Sequence, residues 1–221
     1  MPASWASTWL ASDLLEGSVA PNGPTNLMTE TLRRRRLLEI SFQALTCSAA
    51  VWIAPLRASA LGGTLPSLQE PAPGFRLDGV EPAPGGTAKP VTLGLDDCRG
   101  SWLVLYFYPR DFTSGCTLEA RGFQRDLPRF EAAGTRVIGI SADDPEQHAE
   151  FCGSEGLRYT LLSDPGGLVS QRYGSWIPPY SQRHTFLIDP QGVLRASWVA
   201  VRPAGHSQEV LAELQRLQAS A

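Results

Sequence analysis

Hydrophobic and polar positions divide the chain into two regimes that meet near residue 60, and the second is orderly. Trp102–Leu103–Val104–Leu105–Tyr106–Phe107–Tyr108 is a continuous apolar and aromatic run ended by Pro109, as expected of a strand buried on both faces. Ala120, Phe123, Leu127 and Phe130 then recur at helical spacing, and Gly134 closes that helix. Residues 136–140 predict a second buried strand. Asp144–Pro145 opens another helix, with Asp as N-cap and Pro in the first turn. Residues 159–162 predict a short strand before a turn at 164–167, and His184–Ile188 pairs with 193–201 as a hairpin. Ser207 is expected to cap a last helix whose Val210, Leu211, Leu214 and Leu217 share one face. The order β-α-β-α-β-β-α predicts one α/β domain with a central mixed sheet flanked by helices. A right-handed crossover makes the first two of these strands parallel. Reactive groups then belong where a central strand gives way to the next helix.

The first regime has a different logic. Arg33–Arg34–Arg35–Arg36 precedes a segment without charge from Ile40 to Leu56, and Ala58–Ser59–Ala60 follows. Basic, apolar and A-x-A regions in that order predict an export signal over 28–60, and Arg34–Arg35–Arg36–Leu37–Leu38 has the twin-arginine pattern. Residues 1–60 are therefore expected to be an extension absent from the mature protein, 61–68 a linker and 69–221 the domain. The compartment expected is periplasm or thylakoid lumen, or cytoplasm if the segment does not function. Ser41, Gln43, Thr46, Ser48 and Pro55 dilute the apolar run, so no stable membrane span is expected in the mature form.

Composition narrows the chemistry. With 43% hydrophobic and 19% charged residues among 221, the chain can bury a core, and a net charge of −3 argues against nucleic acid as a partner. Four cysteines (Cys47, Cys98, Cys116 and Cys152) are too few for a disulfide scaffold. Neither CxxC nor HExxH occurs, so no metal site is expected.

Cys116 lies just past the first strand, in the run Pro109–Arg110–Asp111–Phe112–Thr113–Ser114–Gly115–Cys116. In the first turn of a helix a cysteine meets free backbone N–H groups and the positive end of the dipole, which favour the thiolate. Thr113 can set a hydroxyl beside the sulfur. Pro109, lacking an N–H, can wall the pocket. Any cation must come from elsewhere in the chain.

The pattern Pro-x-x-x-Thr-x-x-Cys after an aromatic strand resembles the peroxiredoxin signature, and YFYPRDFTSGCTLEA is similar to the peroxiredoxin Q (bacterioferritin comigratory protein) branch. Pro71–Ala72–Pro73–Gly74–Phe75–Arg76–Leu77, Asp97–Cys98–Arg99–Gly100–Ser101–Trp102 and Thr185–Phe186–Leu187–Ile188–Asp189 extend the likeness over roughly 69–217, with Gly74 where the family has Asp. The resemblance implies a thioredoxin-like fold and a thiol peroxidase without cofactor. It would reduce hydrogen peroxide and organic hydroperoxides with electrons from thioredoxin or a similar dithiol protein, and would work as a monomer. It also implies Cys116 as peroxidatic cysteine, with Thr113, Pro109 and Arg183 completing the catalytic set.

The chain departs from the branch at Arg121, where many members carry the resolving cysteine. Cys152 is the alternative, in the position another subset uses, and an intramolecular Cys116–Cys152 disulfide would require local unwinding. Cys98 is expected only to pack. The missing cysteine at 121 keeps open a second reading, a thioredoxin-fold redox sensor or client-binding protein without efficient turnover. The three histidines are assigned no role, and the pairs Asp96–Asp97 and Asp143–Asp144 are read as turn and capping residues.

Overall fold

The computed structural model describes residues 59–60, 62–83 and 88–220. The basic and apolar parts of the export reading lie outside the described residues. Seven strands form one sheet: β1 (Arg76–Pro82), β2 (Ala88–Gly94), β3 (Trp102–Phe107), β4 (Thr135–Ser141), β5 (Thr160–Ser163), β6 (His184–Ile188) and β7 (Leu194–Trp198). Their spatial order is β7-β6-β3-β4-β5-β1-β2. As predicted, β3 and β4 are parallel, and β5 continues the parallel centre. The β6–β7 hairpin adds antiparallel to one side of that centre and the β1–β2 hairpin to the other. Among the described residues no helix is long and apolar enough to cross a membrane.

The strand period explains the layers. Along β3, Val104 and Tyr106 point to one face with Phe123, Leu127 and Phe130 of α1 (Ser114–Ala132). That core also takes Phe151 of α2 (Pro145–Glu155) and Val210, Leu211 and Leu214 of α4 (His206–Ala219). Leu103, Leu105 and Phe107 point to the other face, into a second core with Phe75, Tyr173, Phe186 and Val169 of α3 (Leu168–Arg172). Cys98 is buried in this second core, away from Cys116. Burying each such side chain contributes about 1.5–3 kcal/mol.

Three features differ from the sequence expectation. The β1–β2 hairpin was not foreseen because its strands are half-exposed and carry Pro82 and Pro90, so neither alternation nor an apolar run marks them. Ser207 does not cap α4: Gly205, at φ 80°, holds the N-cap position, and the Ser207 hydroxyl donates to Asp126 Oδ2 at 2.7 Å. The stretch 61–68, read as a linker, is seated on the fold where it is described. Trp176 N donates to Gly62 O at 3.0 Å, and Leu65 packs on the second core.

Candidate active site

The site forms where β3 ends. Pro109, half-buried, turns the chain, and a short loop delivers it to Thr113, the extended N-cap of α1. Within that loop Phe112 adopts φ 61°, a conformation costly for a side chain with a Cβ. Its ring is held edge-on to Phe151 of α2, centroids 5.2 Å apart. Thr113 turns its hydroxyl to Arg110 O at 3.0 Å, so the sulfur's hydrogen bond comes from another residue.

Cys116 is the third residue of α1 and is buried. The cation that the sequence required arrives from the turn before β6: Arg183 Nη2 donates to Cys116 Sγ at 3.4 Å. Its Nη1 donates to Glu119 Oε2 at 2.5 Å. Burial opposes the charge on Arg183, but Glu119 and Cys116 outweigh it and hold the guanidinium pKa above its ordinary value. Gly115 leaves room for this approach, since a Cβ there would stand 3.1 Å from Arg183 Nη2.

Sequence reasoning gave Glu119 no role, yet it is part of the site. One turn after Cys116 on α1, it is buried, and its Oε1 has no hydrogen-bond partner among the described residues. Burial pushes its carboxyl up to about 7 against the pull of Arg183. The signal in the sequence was the i, i+3 spacing, which places both side chains on one helix face.

A second polar cluster was missed entirely. Asp111 Oδ1 accepts from the Tyr108 hydroxyl at 2.7 Å, and its Oδ2 lies 2.7 Å from His148 Nδ1. Its backbone N–H donates to Asp143 Oδ2 at 2.8 Å, which also takes the Ser141 hydroxyl at 2.7 Å. Asp143 is thus a buried acceptor rather than a turn residue. The capping role belongs to Asp144 alone, which accepts from Gln147 N at 2.8 Å.

Cys152 sits on α2, one turn after His148, in the same core cluster as Cys116. Burial first and the charge of Asp111 second push its thiol up to about 12. Where the branch often has a cysteine, Arg121 is exposed and pairs with Glu155 of α2 at 2.5 Å. The fold therefore gathers Cys116, Pro109, Thr113 and Arg183 at one end of the sheet. It gives the sulfur a helix N-terminus and a guanidinium, the two features that stabilise an anionic nucleophile and bind an incoming oxygen.

A family model described as the AhpC/TSA family matches residues 68–197. The chain is 41% identical over 130 residues to a putative peroxiredoxin bcp of Coxiella burnetii, covering 55% of this chain and 86% of that one. It is 38% identical over 124 residues to the peroxiredoxin Bcp of Xanthomonas campestris, covering 52% and 77%. A solved structure of Xanthomonas campestris peroxiredoxin Q superposes with a TM-score of 0.56 at 34% identity, over 57% of this chain and 85% of that chain. Family match, thioredoxin-like sheet and cysteine loop agree: the chain belongs to the AhpC/TSA family, as a thiol peroxidase of the peroxiredoxin Q, or bacterioferritin comigratory, type.

Proposed function

We propose that Cys116 is the peroxidatic cysteine and that Cys152 resolves it. The observation that carries this reading is the guanidinium of Arg183 on the Cys116 sulfur at 3.4 Å. The thiolate attacks one peroxide oxygen, the O–O bond breaks, and the sulfur becomes a sulfenic acid. The departing oxygen leaves as water or an alcohol after taking a proton. Arg183 supplies donors for the charge that develops, and Pro109 shields the sulfur from water.

Resolution follows when the sulfur of Cys152 attacks that of Cys116. An S–S bond forms, the S–O bond breaks, and water leaves with the proton from Cys152. A dithiol protein of the thioredoxin type then returns both thiols by taking the disulfide on itself. Two solved peroxiredoxin Q structures from Xanthomonas campestris carry Cys-to-Ser substitutions 36 residues apart, the separation between Cys116 and Cys152. A further solved structure, of the bacterioferritin comigratory protein of that organism, is described in terms of its alkyl peroxide reduction activity, which supports organic hydroperoxides as substrates here.

The test is a thioredoxin-coupled peroxide assay joined to peptide mapping. Cys116→Ser should abolish turnover, and the wild type treated with one equivalent of peroxide should yield a peptide linking Cys116 to Cys152. Turnover at the wild-type rate in Cys152→Ser would overturn the intramolecular scheme. The order of basic, apolar and A-x-A segments supports passage across a membrane. Sequencing the N-terminus of the native protein checks it, and a chain that begins before Ile40 would overturn it.

A further inference from the structure

We infer that His148 and Asp111 are positioning residues for the resolving step, forming a buried latch that must open before Cys152 can leave its helix. The inference rests on Cys152 being the resolving thiol. In the folded chain Cys152 is a free thiol held inside the core: its side chain is buried, and its carbonyl accepts from Leu157 N at 3.0 Å at the end of α2. Disulfide geometry brings the two Cβ atoms to about 4 Å, and Cys116 is itself fixed in the first turn of α1. Linking two free thiols that both sit inside the core calls for at least one of the two segments to open.

The contacts that resist opening converge on Asp111. It lies five residues before Cys116, and its carboxylate meets His148, four residues before Cys152 on the same face of α2. One side chain thus pins both the loop that carries the peroxidatic sulfur and the helix that carries its partner. The imidazole is wholly buried, with Leu162 O 3.2 Å from Nε2 and Asp111 Oδ2 2.7 Å from Nδ1. A backbone carbonyl only accepts, so Nε2 donates to it, and the Nδ1 contact needs a proton held between ring and carboxylate. That makes it a charge-assisted bond out of reach of water. Tyr108, through its hydroxyl, and Asp143, through the Asp111 N–H, fix the hub to the ends of β3 and β4. The edge-on contact of Phe112 with Phe151, the neighbour of Cys152, lies along the same seam. Arg121–Glu155 also bridges α1 and α2, but the arginine is largely exposed, so this pair holds little.

Asp111 therefore has two effects on Cys152. It fastens the helix, and its charge adds to burial in keeping the thiol protonated while the helix is closed. The latch sets how long oxidised Cys116 waits for its partner, and so how often excess peroxide carries it on to the sulfinic acid.

The test compares the wild-type chain with His148→Gln, His148→Asn and Tyr108→Phe. Gln can keep a donor toward Leu162 O but not toward Asp111, whereas Asn keeps one toward Asp111. In the reduced protein, alkylation of Cys152 by iodoacetamide reports opening without any reference to peroxide chemistry. Losing a buried charge-assisted bond should speed it about 10- to 100-fold in His148→Gln. His148→Asn should stay nearer the wild type, and Tyr108→Phe, which loses one hydroxyl, should rise several-fold. After one equivalent of peroxide, His148→Gln should form the Cys116–Cys152 disulfide faster and accumulate less sulfinic acid at Cys116 under excess peroxide. The rate at which Cys116 is first oxidised should not change. If His148→Gln does not fold, Tyr108→Phe decides. Wild-type alkylation and disulfide rates in the folded variants overturn the latch. Absence of the disulfide in the wild type overturns the role of Cys152 and, with it, the resolving-step role of His148, and is recognised separately by peptide mapping.

Discussion

Glu119 and Arg183 meet at 2.5 Å in a buried ion pair, and from that pair Arg183 reaches the sulfur of Cys116. The guanidinium is a fork: one nitrogen is committed to the carboxylate, which fixes where the other points. Lysine has a charge but no fork. Arg183→Lys should therefore fold normally and lose about 100-fold in the rate of Cys116 oxidation, the usual cost of removing one oriented donor from a transition state. Rapid-mixing measurement of the first peroxide turnover checks it. A rate within a few-fold of wild type would mean that charge alone suffices.

The same pair makes stability depend on pH. Burial raises the Glu119 carboxyl from 4.5 to about 7, so the folded protein holds a proton there that the unfolded chain has already released. A group raised in this way contributes stability that is complete below pH 4.5 and is lost as pH rises through about 7. Glu119→Gln removes the titration and keeps a hydrogen-bonding side chain. Between pH 4.5 and about pH 8 the wild type should lose on the order of 3 kcal/mol relative to this variant, by denaturant unfolding at each pH. A constant difference between the two proteins across that range would refute it.

The elements that could be read in advance are those whose own residues decide them. β3 and β6 are short apolar runs, α2 opens on Asp144–Pro145, and Cys116 announces itself through the residues around it. Arg183 was found only because a strand landmark follows it. What could not be read was created by the fold. Asp111 and His148 are 37 residues apart, and each alone is an ordinary loop aspartate or helix histidine. Glu119 could have been found from its spacing to Cys116, but a carboxylate on a helix more often faces water.

The unforeseen β1–β2 hairpin depends on one close approach. Gly79 faces β5, and a Cβ there would overlap Leu161 O and come within 2.7 Å of Leu162 Cα. Neither is a flexible side-chain end that could swing away. Gly79→Ala should push the hairpin off the sheet and cost about 2–4 kcal/mol, at the upper end of what overpacking does, because backbone rather than side chain must yield. Hydrogen exchange should locate the loss in residues 76–94. Protection equal to wild type in β1 would show that the sheet absorbs the methyl group.

Phe112 offers the sharpest sign test of how the cysteine loop is held. Its φ of 61° costs about 1 kcal/mol for any residue with a Cβ, while its ring is half outside, 53% exposed, and touches Phe151 edge-on. The contact and the strain are of similar size, so they can be separated by two substitutions. Phe112→Gly loses the contact and the strain together and should be nearly neutral in stability. Phe112→Ala loses the contact, keeps the strain, and should be about 1–2 kcal/mol less stable than the wild type. The ordering Gly above Ala is the reverse of that found in ordinary backbone, where glycine is the poorer residue. Denaturant midpoints of the three proteins decide it. If Ala proves at least as stable as Gly, the loop before Cys116 does not hold Phe112 in the left-handed region in solution.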